Sequence, residues 1–93
     1  MEVREVSADL FGRACRLPLA LWILRREKSR FFQSEPPREI DSPTALRQEL
    51  ERFVRLGLLV HDRPDAENRV YYERTDSPLW QVIEAADDVT GSQ

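Results

Sequence analysis

The sequence predicts a small α+β domain, mainly helical, with a two-stranded β-hairpin late in the chain and one more helix after it. Three observations carry this reading. Leu46, Leu50, Phe53 and Val54 recur at helical spacing and define one apolar face. The pattern then changes to two short β-type runs, Leu58-Leu59-Val60 and Val70-Tyr71-Tyr72, around a segment of turn chemistry, HDRPDAENR. Serine followed by proline occurs at Ser42-Pro43 and Ser77-Pro78, each pair supplying an N-cap and a first helical residue. With 93 residues, 41% of them hydrophobic and 33% charged, the chain has room for one soluble domain.

In chain order, residues 1–6 carry no pattern and read as a flexible arm. Ser7 is placed to cap a first helix whose buried side is Leu10, Phe11 and Ala14. Pro18 interrupts, because it cannot donate a helical hydrogen bond, and a second helix is expected from Pro18 to about Glu27. Ser34 with Pro36-Pro37 predicts a short helix ending at Ile40. Asp41 is the whole turn before Ser42 and Pro43 open the clearest helix of the chain, which Gly57 stops. The hairpin follows, then a last helix carrying Leu79, Trp80, Val82, Ile83 and Ala86. Trp22, Tyr71, Tyr72 and Trp80 are expected to fill the core between hairpin and last helix. The domain so defined spans 7–86, and 87–93 read as a disordered acidic tail.

Composition removes several function classes. No apolar run approaches the ~20 residues of a membrane span, and the N-terminus MEVREVSADL lacks the apolar core of a secretory leader, so a cytoplasmic protein without membrane contact is expected. A single cysteine, Cys15, and a single histidine, His61, close no disulfide and no conventional Cys/His metal site. No nucleophile–base pair stands out, so neither an enzyme nor a cofactor is expected. The net charge is −3 with an isoelectric point near 5.2, which excludes a generic basic coat. Charge is unevenly distributed, however. From Arg13 to Arg30 six cations meet one anion, Glu27, whereas Glu84, Asp87 and Asp88 close the chain without a cation. Of 14 basic residues 13 are arginine, the better ligand for phosphate and guanine, although a GC-rich coding bias gives the same excess.

Helix, helix, short helix, tight turn, longer helix, hairpin, helix is the layout of a winged helix-turn-helix. Three segments resemble ArsR-like bacterial regulators. RLPLALWIL is similar to the second helix of that superfamily. SPTALRQELERFVRLGLL resembles its recognition helix, with Leu56-Gly57-Leu58-Leu59 as the entry to the first wing strand. RVYYERTDSPLW resembles its second wing strand, Val70-Tyr71-Tyr72, running on through Thr75-Asp76 to the last helix. The likeness covers roughly Leu10 to Ala86. Two features depart from the family: the turn before the recognition helix is reduced to Asp41, and the metal-sensing cysteine pairs or His/Asp clusters are missing.

The resemblance implies a sequence-specific regulator that binds double-stranded DNA as a homodimer, pairing through its first and last helices. Helical projection puts Thr44, Gln48, Glu51 and Arg55 away from the core, with Arg47 and Arg52 on the flanks. Thr44, Arg47 and Gln48 are then the candidate base readers. Arg63 and Arg69 beside the wing tip, with Arg52 and Arg55, are candidates for the DNA backbone. Arg26, Lys28 and Arg30 precede the motif, where a helix end commonly meets phosphate. Glu49 and Glu51 would repel phosphate if they faced it. Cys15, between Arg13 and Arg16, is a candidate redox thiol if those cations lower its pKa. The alternative reading is a winged-helix module that has lost specific DNA binding and uses the same surface for a protein partner.

Overall fold

The computed structural model describes residues 2–63 and 69–91. It is a small α+β domain of four helices and a three-stranded antiparallel sheet, an arrangement compatible with a winged helix. The elements are α1 (Val3–Phe11), α2 (Arg16–Leu24), β1 (Arg30–Phe32), α3 (Pro43–Arg55), β2 (Leu59–Asp62), β3 (Tyr71–Arg74) and α4 (Leu79–Gly91). The expected tip of the hairpin, 64–68, lies outside the described residues, as do Met1 and the last two residues of the expected tail.

The first helix starts earlier than Ser7. Glu2 is its cap, its carboxylate accepting from the Arg4 and Glu5 amides at 2.9 and 3.0 Å, so the expected arm is helical from Val3. Ser7 is fully buried within α1. Its hydroxyl donates to the Arg13 carbonyl and accepts from the Leu17 amide at 2.8 Å, stitching α1 to the start of α2. Leu10, expected inside, is 67% exposed. Pro18 sits in the first turn of α2, where its missing N–H costs nothing. That helix is buried on most sides through Leu17, Leu19, Ala20, Leu21 and Ile23, and it forms the centre of the core. Arg74 caps its far end by donating to the Ile23 and Leu24 carbonyls at 2.8 and 3.1 Å.

No helix forms over 34–40, which turns instead, with Ile40 N–H bonded to the Pro37 carbonyl at 3.1 Å. Glu35 and Pro36 each precede a proline, which disfavours the helical conformation at both and leaves too short a stretch before Ile40 for a helix. Just upstream, Arg30–Phe32 forms a strand that the sequence reading did not contain. It pairs with β3, placing Arg30, Phe31 and Phe32 opposite Glu73, Tyr72 and Tyr71. The sheet order β1-β3-β2 makes β3 central. On its inner face Phe31 stacks on Tyr72 at 5.7 Å between ring centres, and Trp22 meets Phe31 edge-on at 5.4 Å. Tyr71 lies on the opposite face against Phe32 rather than in the core.

Ser42 caps α3 as expected, its hydroxyl accepting from the Ala45 amide at 3.2 Å, with Pro43 at the first position. Trp80 of α4 is buried and its indole N–H donates to the Leu58 carbonyl at 3.1 Å, fastening the last helix to the start of the hairpin. The acidic stretch after Ala86 continues α4 to Gly91, and Asp87 pairs with Arg25 at the end of α2. None of the helices among the described residues is long and apolar enough to cross a membrane.

Gly57, after the last turn of α3, has φ +82°, a left-handed conformation that L side chains rarely adopt. A Cβ there would meet nothing within 4 Å, so strain alone decides the effect of substitution. Gly57→Ala is expected to lower stability by about 1–2 kcal/mol, and Gly57→Asn by less, because asparagine tolerates this region. Denaturant unfolding of the two variants checks the order.

Candidate nucleic-acid interface

The orientation of α3 is set from beneath. Glu49 projects inward and is 0% exposed, and two arginines of the α1–α2 junction close around it. Arg16 Nε donates to Oε1 at 2.5 Å, and Arg13 Nη1 donates to Oε2 at 3.0 Å. Arg52, one turn along the same helix, lies 3.6 Å away. Burial alone would push the Glu49 carboxyl up, but the hydrogen bonds and charges of Arg16, then Arg13 and Arg52, outweigh it and hold it below the usual carboxylate range. Arg16 also donates to the Phe11 carbonyl at the end of α1, so one guanidinium joins α1, α2 and α3. This carboxylate faces no phosphate. Of the two expected repulsive groups, only Glu51 remains on the outer surface.

With that side fixed, Thr44, Arg47, Gln48, Glu51 and Arg55 are all exposed. Between α3 and the sheet runs a groove of two adjoining clefts, about 380 and 550 Å³, which share Gln33, Arg63 and Val70. The first holds Arg38, Arg63 and Arg69, and the second Arg47, Arg55 and Arg63 with Glu51. Among the described residues, five arginines and one carboxylate therefore line the groove, in a chain of net charge −3.

The arginines are sorted by partner. Arg13, Arg16, Arg25, Arg26, Arg30 and Arg52 pair with carboxylates. Arg4 and Arg74 donate to main-chain carbonyls. Among the described residues, Arg38, Arg47, Arg55, Arg63 and Arg69 alone of the arginines have neither kind of partner, and all five line the groove. An exposed guanidinium with free donors is suited to phosphate and to base edges.

The sequence-derived candidates divide accordingly. Arg47, Arg55, Arg63 and Arg69 come together along the groove. Thr44 lies at the exposed start of α3, outside the lining of both clefts, and Gln48 turns toward Arg13, whose Nη1 is 3.4 Å from its Oε1. Arg52 leans to the opposite flank, toward Glu49. Arg26 pairs with Glu35 and stacks on Trp22, and Arg30 pairs with Asp62 and stacks on Tyr71, so both are already engaged. His61 is exposed at the edge of the second cleft. Arg38 was missed, because it stood in an expected helix with no cue to its facing.

Cys15 is not the redox candidate that its neighbours suggested. It is fully buried, and burial followed by a hydrogen bond to Asp41 pushes its thiol up, against the smaller lowering effect of Arg13. Among the described residues no group of three or more His, Cys, Asp or Glu side chains is placed to hold a metal ion. Compared with protein-family models and with curated proteins, the chain matches none.

Because the Glu49 carboxyl is held low in the folded protein, its contribution to stability is complete above the usual carboxylate range and is lost as pH falls through the folded value. Glu49→Gln is expected to cost about 3 kcal/mol at neutral pH. It should also remove part of the stability loss that the wild type shows as pH falls below about 5, the upper edge of ordinary carboxylate titration. Unfolding curves across that range check both. An equal pH slope in the two proteins would rule out the clamp.

Proposed function

We propose that the chain is a winged helix-turn-helix regulator that binds double-stranded DNA. In this reading α3 enters the major groove, and the hairpin and the 33–41 loop lie along the backbone. The observation that carries it is the gathering, in one groove beside α3, of five arginines that have no carboxylate or carbonyl partner among the described residues, in a chain whose net charge is negative. Arg47, at the N-terminal half of the helix, is the leading base reader, with Thr44 and Gln48 beside it. Arg55, Arg63 and Arg69 contact the backbone. The acidic remainder of the chain limits non-specific attachment, which depends on total phosphate neutralisation.

Binding titrations of wild type, Arg47→Ala and Arg69→Ala against selected and random duplexes at two salt concentrations test this. Arg47→Ala is expected to cost about 1–3 kcal/mol on the selected site and to relax preference at one position. Arg69→Ala should weaken all duplexes alike and reduce the salt slope by about one unit. A protein-interaction module would bind selected and random DNA equally weakly and would not distinguish the two variants.

The active form in this reading is a homodimer. Leu10 at the end of α1 and Leu79 and Val82 of α4 leave apolar surface uncovered on two helices that pack together. Two copies joined there would present two α3 helices to one palindrome. Sedimentation at micromolar concentration should give twice the chain mass, and Val82→Glu should return it to one. A wild type that stays monomeric would remove the palindrome.

A further inference from the structure

Among the described residues, the first cleft differs from the second in having no carboxylate in its lining. Its three arginines come from separate parts of the chain: Arg38 from the loop before α3, Arg63 from the end of β2 and Arg69 from the approach to β3. Three carboxylates near Arg38 and Arg63 in the sequence, Glu35, Asp41 and Asp62, are engaged elsewhere. Glu35 accepts from the Phe32 amide at 2.7 Å and pairs with Arg26 at 3.5 Å. Asp41 accepts from the Ser42 amide at 2.7 Å, and Asp62 pairs with Arg30 at 3.3 Å. Arg69 is held differently. Its guanidinium carbon lies 4.8 Å from the centre of the Phe32 ring, a cation–π contact that leaves its N–H groups without an acceptor among the described residues. Pro36, Pro43, Leu46 and Val70 supply apolar walls, which strengthen charge-assisted hydrogen bonds in the cleft.

We propose that this cleft is a phosphoryl-binding subsite in which Arg38, Arg63 and Arg69 together hold one phosphate, with Phe32 positioning Arg69. Resting on the DNA-binding reading, the phosphate belongs to the backbone of the bound duplex, beside the strand that α3 reads. A free phosphoryl ligand has the same chemistry, and the two sources separate experimentally. Arg38 is the diagnostic residue, because it is exposed, has no partner among the described residues and lies outside α3.

The test has two arms on the full chain, with wild type, Arg38→Gln and Phe32→Leu. In the first, inorganic pyrophosphate is titrated while the arginine Nε–Hε resonances are followed by NMR. Wild type is expected to show saturable shifts at Arg38 and Arg69, and Arg38→Gln to weaken the affinity about tenfold. Phe32→Leu should weaken it too, with the Arg69 resonance losing its ring-current offset while unfolding midpoints confirm a folded protein. In the second arm, duplex binding is measured over a range of salt. Arg38→Gln should lower the affinity for selected and random duplexes alike and reduce the salt slope by about one unit. An unchanged slope in a protein that still binds duplex overturns the backbone assignment while leaving the DNA reading intact. Pyrophosphate binding that depends on Arg38 in a chain that binds no duplex overturns the DNA reading and assigns the subsite to a free phosphoryl ligand. No Arg38-dependent effect in either arm overturns the subsite itself.

Discussion

A carboxylate with no solvent exposure has to be neutralised where it stands, and in this domain that requirement falls on Glu49. Removing such a charge from water costs several kcal/mol, which only good geometry and full hydrogen bonding offset. Arg16 and Arg13 supply both, and because they flank the α1–α2 junction, their reach to Glu49 fixes α3 against the first two helices. Apolar packing of Leu46, Leu50 and Phe53 would tolerate some rotation of α3 about its axis. The carboxylate does not, since a turn of one residue would withdraw it from both guanidinium groups. The direction in which Arg47, Glu51 and Arg55 face is thus a consequence of the buried ion pair on the other side.

The same economy of partners runs through the rest of the surface. Glu35, Asp41 and Asp62 are tied to Arg26, Arg30 or main-chain amides, and among the described residues the arginines left over line the groove beside α3. Net charge therefore says little about what this domain attracts. A ligand approaching the groove meets five guanidinium groups and, among the described residues, the one carboxylate of Glu51, whereas one approaching α4 meets Glu84 and Asp88 on an exposed surface.

Much of the scaffold was legible in the sequence because its signals are local. Ser42-Pro43, the spacing of Leu46, Leu50 and Phe53, and Gly57 act within a turn or two of where they stand, and α3 and its end are found as expected. The parts that were not legible depend on distant chain. Three residues, Arg30–Phe32, are too few to show an alternating pattern, and they become a strand only because Tyr71 and Tyr72 arrive beside them some forty residues later. Ser7 had the chemistry of a cap, but Glu2 caps α1 and Ser7 faces the core. Helical projection alone puts Glu49 within about 60° of Leu46, on the buried arc, so its inward direction could have been read. Its partners Arg13 and Arg16 could not. Likewise the arginines at 47, 55, 63 and 69 were legible as candidates, but which arginines lack acidic partners is a property of the folded surface. That property brought in Arg38 and set Arg52 aside.

The order β1-β3-β2 has a consequence for how copies of this domain meet. The central strand has both edges occupied, so the backbone groups left open belong to β1, of three residues, and β2, of four. Edges this short offer little template for strand addition, and each carries a charge, Arg30 on β1 and Asp62 on β2. The chain leaves β1 into a turn and Pro36-Pro37, which cannot prolong that edge. Sheet-to-sheet growth, the usual hazard of a small open sheet, is therefore disfavoured at both described edges.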